Sequence, residues 1–225
     1  MDGFDLNRGW ESGTRFATEV ILRRSDQLAI SVSIVPGGNR DTATQERLRE
    51  FRQTISSKDG FEAIFQEAQT EMDLSPTGNA FYEDILRIEI SGPKHPQLTI
   101  VDLPGLIHSE SKKQTSEDIK LVSQLVRSYM SNSRSIILAV VSAKNDHANQ
   151  AVLQRARAVD PEGYRTLGII TKPDTLRAGS VSEAAFLTLA RNEDIKLNLG
   201  WHIVKNLDES QSSIDLGTRD EDEEL

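Results

Sequence analysis

Leu98-Thr99-Ile100-Val101-Asp102-Leu103-Pro104-Gly105 is the stretch of this sequence that decides the fold. It begins as a short apolar run with β-branched residues and ends in an Asp followed by Pro and Gly. A buried strand that runs into a loop has this pattern. Asp102 then stands at the carboxyl end of the strand, where open α/β sheets bind their ligands. The stretch predicts an α/β fold with a ligand site at Asp102. An ordinary turn after a strand could also have the sequence Asp-Leu-Pro-Gly, so the motif alone leaves both interpretations open.

Asp102 and Gly105 carry the chemistry predicted for this loop. In phosphate-binding sheets an Asp at this place holds Mg²⁺ through water, because a hard cation prefers oxygen ligands. Gly105 has no Cβ, so its backbone N–H can approach a terminal phosphate closely. We therefore predict that Asp102 contacts a metal ion and that Gly105 contacts a phosphate.

A second predicted strand also ends in a motif. Thr166 to Ile170 is apolar and continues into Thr171-Lys172-Pro173-Asp174, which has the T-K-x-D pattern typical of the guanine-reading loop of GTPases. In such a loop the Asp174 carboxylate accepts two N–H bonds from the guanine edge, and the Lys172 stem lies over the purine ring. Adenine presents an acceptor where guanine presents a donor, so a site built on these bonds rejects it. Together the two strand-end motifs predict a guanine nucleotide site.

With both motifs in place, the chain resembles the dynamin family of large GTPases. The resemblance rests on Gly13 to Glu19, Thr99 to Leu106, Ser135 to Val140, Asn149, Val159 to Gly163 and Arg165 to Asp174. The run T-R-F-A-T-E-V-I-L-R-R from Thr14 is most similar to fungal dynamin-like proteins. The resemblance implies a P-loop GTPase-like, mostly parallel sheet flanked by helices, which binds GTP with Mg²⁺. Residues 1–12 are predicted to be irregular, and residues 13–225 to form a partial dynamin-type G domain.

The resemblance also implies roles for residues outside these two loops. Thr14 matches the first switch-loop Thr, whose hydroxyl binds Mg²⁺ and whose carbonyl helps orient the attacking water; without the resemblance it reads as an ordinary loop residue. Asn206 begins a loop that contacts guanine and ribose, but Leu207 stands where animal dynamins carry Arg. Asp160 lies in a loop that reaches across a head-to-head G-domain homodimer, or else it simply ends a helix.

The largest departure from the family is the absence of the P-loop, because no G-x-x-x-x-G-K-[ST] occurs in the sequence. That loop supplies the amides and Lys that hold the β- and γ-phosphates and a Ser that binds Mg²⁺. The strand before it lies, in P-loop GTPase sheets, between the strand ending at Asp102 and the strand of Ile136 to Val141. Without it, backbone groups on both neighbours lose their partners, at about 1–3 kcal/mol for each buried group. We predict a G domain truncated at both ends.

The composition excludes several other classes of protein. A net charge of −9 leaves no basic footprint for nucleic acid. The sequence contains no Cys, so it has neither a disulfide framework nor a thiolate metal site. The longest apolar run, Ile136 to Val141, is too short to span a bilayer. We expect a cytoplasmic protein that is peripheral to membranes, as in the family, where a stalk and a lipid-binding region absent from this sequence make the membrane contact.

Hydrophobic periodicity predicts the elements around the site. Thr18 to Arg24 and Leu28 to Val35 are expected to form a hairpin, and the strand Ile85 to Ile90 is expected to pair with the Leu98 strand. The helices are predicted over Thr44 to Ile55, Gly60 to Met72, Glu117 to Met130 and Val181 to Arg191, and the last strand over Gly200 to Asn206.

Three functions fit these observations. The first is the GTP-binding and GTP-hydrolysing G domain of a membrane-remodelling dynamin-like protein in an incomplete copy, which is favoured because both loops keep their chemistry. The second is a nucleotide-incompetent interaction module that retains the dimerising surface. The third is an ATPase that uses Asp102 as its Mg²⁺ acid, which the guanine-reading pattern of Thr171 to Asp174 disfavours.

Overall fold

The computed structural model describes residues 16–55, 61–72, 81–104, 115–144 and 151–205. These residues divide between two compact units, one within Asp5–Val126 and the other within Arg127–Leu225. Each unit contains its own sheet with helices, so the predicted α/β fold class is confirmed.

The first unit is built on a five-stranded sheet in the order β3-β2-β4-β1-β5. The pair β1–β4 is parallel, and the pairs β1–β5, β2–β3 and β2–β4 are antiparallel. Its elements are β1 (Ala17–Arg24), β2 (Ala29–Val35), α1 (Thr42–Glu50), β3 (Arg52–Ile55), α2 (Phe61–Glu71), β4 (Ile85–Gly92), β5 (Leu98–Asp102) and the start of α3 (Ser116–Met130), which carries the chain into the second unit.

Strict alternation in the central strands gives this sheet one apolar face. Every second residue of β2 and β4 is buried, including Val32 and Ile88, whereas the residues between them are partly exposed. This pattern is expected when one face of a sheet packs on a core. The buried side chains on this face include Ile30, Val32, Ile34, Leu86, Ile88 and Ile90.

The predicted hairpin of β1 and β2 is wrong, because β4 lies between them and pairs with both. The prediction that the strand Ile85 to Ile90 pairs with the Leu98 strand is wrong for the same reason, since β5 pairs with β1. One further bond joins β1 to β4 beyond the end of the strand: the backbone N–H of Ser25, in the turn after β1, donates to the Gly92 carbonyl at 3.1 Å. β4, in which every second residue is buried, thus takes the central place in the sheet, where a strand buries the most surface.

The predicted helix over Thr44 to Ile55 is only partly correct. Asp41 caps α1 by accepting a bond of 3.0 Å from the Thr44 N–H, and the helix ends at Glu50. Phe51 then adopts an extended conformation, and Arg52–Ile55 forms β3 along the edge of β2. The β-branched Thr54 and Ile55 favour a strand over a fourth helical turn. The second predicted helix is confirmed as α2.

A buried carboxylate fixes the chain ahead of β4. Asp84 has no exposed surface. Its carboxylate accepts bonds from the Gly37 N–H at 2.8 Å and from Arg40 Nη2 at 2.5 Å. The Arg40 guanidinium also donates to the Met72 carbonyl at 2.9 Å and lies 4.9 Å from the centre of the Tyr82 ring. This pair therefore joins the loop after β2 to the end of α2 and to the start of β4.

The second unit is built on a parallel three-stranded sheet in the order β6-β7-β8. Its core contains Ala139 and Val141 of β6, Ile170 of β7, and Phe186 and Leu189 of the last helix. This unit also holds the end of α3, and its other elements are β6 (Ile137–Ser142), α4 (Ala151–Val159), β7 (Thr166–Thr171), α5 (Val181–Ala190) and β8 (Trp201–Val204).

Trp201 is partly buried and packs against the core of this unit. Its ring packs so closely on Gly168 that a Cβ built on Gly168 would lie 2.2 Å from the ring. The indole N–H donates to the Ile195 carbonyl at 2.9 Å, which satisfies the polar end of the side chain. A glycine at position 168 is therefore a packing requirement of the β7–β8 pair.

Each sheet ends in a strand that is predicted to be a neighbour of the family's P-loop strand. Within the described part of the chain, β5 pairs with β1 alone and β6 pairs with β7 alone. Their apolar side chains are unusually exposed: Ile100 is 44% exposed and Leu138 is 52% exposed. Parallel sheets are normally covered on both faces. Among the described residues, β5 and β6 are thus the edge strands of their own units.

A buried Asp also organises the loop between α4 and β7. The Asp160 carboxylate accepts bonds from Thr166 Oγ1 at 2.6 Å and from the N–H groups of Tyr164 and Arg165, both at 3.1 Å. Burial raises the pKa of Asp160, but these three bonds together outweigh it and hold the pKa below its usual range. The Arg165 guanidinium in turn donates to the Met130 carbonyl at 2.6 Å.

In the part of the chain that the structure describes, no helix combines the length and the apolar character needed to cross a membrane.

Replacing Asp84 with Asn should destabilise the protein strongly. The change leaves Arg40 without its ion-pair partner, and breaking a buried pair costs about 3–5 kcal/mol. Urea unfolding followed by circular dichroism measures this loss. The control is Glu89→Gln, which breaks the exposed Arg23–Glu89 pair and should cost less than about 1 kcal/mol. Equal losses in the two variants would contradict the structural role of Asp84.

Replacing Asp160 with Asn should cost about 1–3 kcal/mol at pH 7, because the amide cannot accept all three bonds. A carboxyl whose folded pKa is lowered stabilises the fold above the unfolded pKa of about 3.9 and loses this effect as pH falls through the folded value. The difference between wild type and variant should therefore shrink below about pH 4. Urea unfolding at several pH values, with the exposed Asp26→Asn as control, tests this expectation, and a pH-independent difference would refute it.

Candidate functional site

The predicted guanine-reading loop lies at the carboxyl end of β7, the middle strand of the parallel sheet. Thr171 anchors it, because its Oγ1 donates to the Val141 carbonyl at 3.2 Å and its own carbonyl accepts from the Ala143 N–H at 2.9 Å. Both bonds tie the last residue of β7 to β6. The loop therefore starts from a fixed point of the sheet.

After Thr171 the chain turns sharply and exposes two charged side chains. Lys172 has the left-handed values φ 59° and ψ 44°, and Pro173–Thr175 forms one 3₁₀ turn. Thr175 closes this turn, since its Oγ1 and N–H donate to the Lys172 carbonyl at 2.7 and 3.1 Å. The side chains of Lys172 and Asp174 are both exposed. The arrangement offers a cation and a carboxylate to a ligand at the carboxyl edge of the sheet.

The backbone of Lys172 is a feature that the sequence did not reveal. A residue with a side chain pays about 1–3 kcal/mol to adopt the left-handed region, and such residues cluster at functional sites. The Pro that follows favours extended backbone at Lys172, so this local signal does not predict the left-handed conformation. The strain supports a binding role for this loop.

The last strand ends at the same edge of the sheet. β8 runs parallel to β7, with Thr171 opposite Val204, so the chain leaves β8 beside the guanine-reading loop. Asn206 lies outside the described residues, and its predicted contact with guanine and ribose stays a prediction. Lys205 is exposed and is the last residue described.

The predicted metal ligand Asp102 lies in the first unit, at the carboxyl end of β5. Its side chain is exposed, and its partner across the antiparallel ladder is Thr18 of β1. Gly105 and Thr14, which were predicted to contact the γ-phosphate and Mg²⁺, lie outside the described residues. The structure therefore describes Asp102 in one unit and the loop of Thr171 to Asp174 in the other.

The exposed carboxylate of Asp102 fits a magnesium ion that a nucleotide also helps to hold. Among the described residues, no cluster of three or more His, Cys, Asp or Glu side chains could hold a metal. Mg²⁺ needs no such cluster, because one or two carboxylates and the phosphates of a nucleotide suffice to bind it. Beside Asp102, the hydroxyl of Thr18 is 1% exposed and has no hydrogen-bond partner within the described part of the chain. Asp102 would hold the ion, which would supply positive charge beside the phosphates.

Asp160, predicted to reach toward a dimer partner or to end a helix, uses its carboxylate inside its own loop. That loop exposes Pro161, Glu162 and Tyr164, and Tyr164 is 70% exposed. The structure thus supports the helix-ending reading of Asp160 itself, and the dimer contact of its loop stays a prediction. Asn149, one of the residues that carry the family resemblance, lies outside the described residues.

Comparison with known proteins identifies relatives of this chain. It is 36% identical over 157 residues to the interferon-induced GTP-binding protein Mx3 of Oncorhynchus mykiss, a match that covers 70% of this chain and 25% of the relative. It is 34% identical over 155 residues to the Mx protein of Dicentrarchus labrax, covering 69% of this chain and 23% of the relative. The chain thus spans about a quarter of the length of these relatives.

The model of the dynamin family matches residues 3–173. This range includes the Asp102 loop and the first three residues of the T-K-P-D motif. The α/β architecture described above is the P-loop GTPase fold expected for the G domain of that family. Because the match covers more than half of the 225 residues, the chain belongs to the dynamin family.

Proposed function

We propose that this chain is the GTP-binding and GTP-hydrolysing G domain of a dynamin-like protein of the membrane-remodelling type, in an incomplete copy. One observation carries the proposal most directly. The T-K-P-D loop is anchored to the sheet at Thr171 and exposes Lys172 and Asp174 at the ligand-binding edge. A loop held in this way can present a carboxylate to the N–H groups of guanine without an ordering cost at each binding event.

In this proposal the residues divide between the base and the phosphates. Asp174 accepts from the guanine edge, Lys172 covers the purine ring, and Asn206 contacts guanine and ribose. On the phosphate side Asp102 and the Thr14 hydroxyl would hold Mg²⁺, which would supply positive charge beside the phosphates. Gly105 would donate its N–H to the γ-phosphate, and the Thr14 carbonyl would help orient the attacking water.

The relatives support GTP over ATP as the nucleotide. The Mx proteins of Oncorhynchus mykiss and Dicentrarchus labrax are named as GTP-binding proteins. An ATPase reading would leave the Asp174 carboxylate facing the acceptor of adenine, which costs free energy because neither group then has a donor. We therefore keep GTP as the proposed ligand of the T-K-P-D loop.

The open sheet edges support the proposal that the copy is incomplete. The strands β5 and β6 are the two that would contact the P-loop strand, and each ends its sheet in the described residues. The sequence also contains no P-loop motif. The fungal type is proposed on the run that begins at Thr14, T-R-F-A-T-E-V-I-L-R-R.

We also propose the location and partners that the family resemblance implies. The protein would be cytoplasmic and peripheral to membranes, with membrane contact through a stalk and a lipid-binding region outside this sequence. The loop of Asp160 would contribute to a head-to-head homodimer of G domains. The exposed Tyr164 ring in that loop is a suitable contact, because Tyr is enriched at protein interfaces.

A nucleotide-incompetent interaction module is the second candidate. It is favoured by the absence of the P-loop, which removes the main holder of the β- and γ-phosphates. Such a module would keep the surface around Tyr164 and would not bind GTP even with the missing strand restored.

Binding of a fluorescent GTP analogue separates the two candidates. We expect the chain as it stands to bind the analogue more weakly than about 1 mM, because the phosphate cradle is missing. A chain that carries a grafted strand and P-loop from an Mx relative should bind in the micromolar range and only with Mg²⁺. The control graft replaces the P-loop Lys with Ala. A graft that folds, by circular dichroism, but does not bind would favour the interaction module.

Replacing Asp174 with Asn in the grafted chain should relax the preference for guanine. The amide can donate to the second oxygen of xanthine, so affinity for xanthosine triphosphate should rise while affinity for GTP falls by about tenfold or more. Competition between the two nucleotides against the fluorescent analogue measures both changes. The control Glu193→Gln alters an exposed carboxylate outside the loop, and an unchanged selectivity in Asp174→Asn would contradict the assigned role.

A further inference from the structure

The hydroxyl of Thr18 is a buried polar group without an evident partner. Thr18 is 1% exposed, and its Oγ1 has no hydrogen-bond partner among the residues that the structure describes. Buried side-chain hydroxyls are nearly always hydrogen-bonded, so an exception calls for a physical reason. Core packing gives none, because Val fills the same volume without a polar atom.

The neighbours of Thr18 make a hydroxyl at this position more unusual. Its parallel partner on β4 is Leu86, which is fully buried, and Val20 is the next residue of β1 on the same face. The charged Glu19 lies on the opposite face, where it pairs with Arg87 at 2.8 Å. The ladder therefore surrounds the Thr18 hydroxyl with apolar side chains on these two sides.

On its third side Thr18 faces Asp102. The two residues are direct partners in the antiparallel β1–β5 ladder, so their side chains lie on the same face of the sheet. The Cβ atoms of such partners are about 4.5–5.5 Å apart. At that separation a Thr hydroxyl can donate to a carboxylate oxygen at an ordinary distance of about 2.5–3.0 Å. A carboxylate has two oxygens and several acceptor sites, so one such bond leaves room for other partners.

We propose that Thr18 is a positioning residue for Asp102: when a divalent cation binds, the hydroxyl, which makes no such bond in this structure, donates to one carboxylate oxygen and turns the other toward the cation. The inference rests on the proposed role of Asp102 as the Mg²⁺ acid. It extends the site to a residue inside the sheet, which contacts neither the nucleotide nor the metal. Groups that orient metal-binding carboxylates in this way contribute to metal affinity without binding the ion themselves.

The test uses the full chain and Mn²⁺ alone, so it does not depend on nucleotide binding. In isotopically labelled protein, paramagnetic Mn²⁺ should broaden the NMR signals of Asp102 at lower concentration than those of other exposed carboxylates. Thr18→Val removes the hydroxyl and keeps the volume, and should require about tenfold more Mn²⁺ for the same broadening. Thr18→Ser keeps the hydroxyl and should stay within about twofold of wild type. Thr99→Val, on the other face of β5, is the matched control.

Urea unfolding without metal excludes a purely structural role. If the hydroxyl serves the metal site, Thr18→Val should be at least as stable as wild type, because it removes an unpartnered polar atom. The proposal is overturned if Mn²⁺ broadens Asp102 equally in wild type and Thr18→Val, or does not reach Asp102 at all. It is also overturned if Thr18→Val is clearly less stable than Thr18→Ser. Failure of GTP binding alone would count against the proposed function and would leave the Mn²⁺ result intact.

Discussion

Backbone pairing between strands is the constraint on which the rest of this structure depends. A strand in the middle of a sheet satisfies its N–H and C=O groups on both sides, and its end is then held in space by two neighbours. β7 has this place in the second unit, between β6 and β8. The loop after it therefore leaves the sheet at a fixed position, and the strained Lys172 backbone is tolerated because Thr171 is tied to β6 and Thr175 closes the turn.

Charged groups in the described interior serve the fold. Asp84 and Asp160 are both buried, and both accept several hydrogen bonds from nearby backbone and side-chain donors. A buried carboxylate without such donors would be protonated or would destabilise the protein. The acids assigned to nucleotide chemistry, Asp102 and Asp174, are by contrast exposed at strand or turn ends. Burial thus separates the carboxylates that organise loops from those that are available to a ligand.

The sequence predicted the parts of this protein that depend on short-range patterns. The strand-end motifs at Asp102 and Asp174, the helices α2, α3 and α5 and the parallel strands follow from periodicity and from loop residues within a few positions. Strand partners could not be predicted in the same way, because pairing joins residues far apart in the chain. The place of β4 between β1 and β2 is settled by competition between strands for burial. The strand β3 forms because the edge of β2 is available for pairing. Likewise, the left-handed Lys172 and the unpartnered hydroxyl of Thr18 depend on their three-dimensional surroundings.

The open edge of β5 has a consequence for how this chain behaves among other molecules. Within the described residues no strand pairs with its outer side, and before the final Asp of Leu98–Asp102 the strand carries no charged side chain. Natural sheets protect such strands with Lys, Pro or a covering segment, since a bare edge is a template on which other extended chains can assemble. At an edge of this kind, the repulsion supplied by the net charge of −9 is what opposes the association of extended segments from different copies.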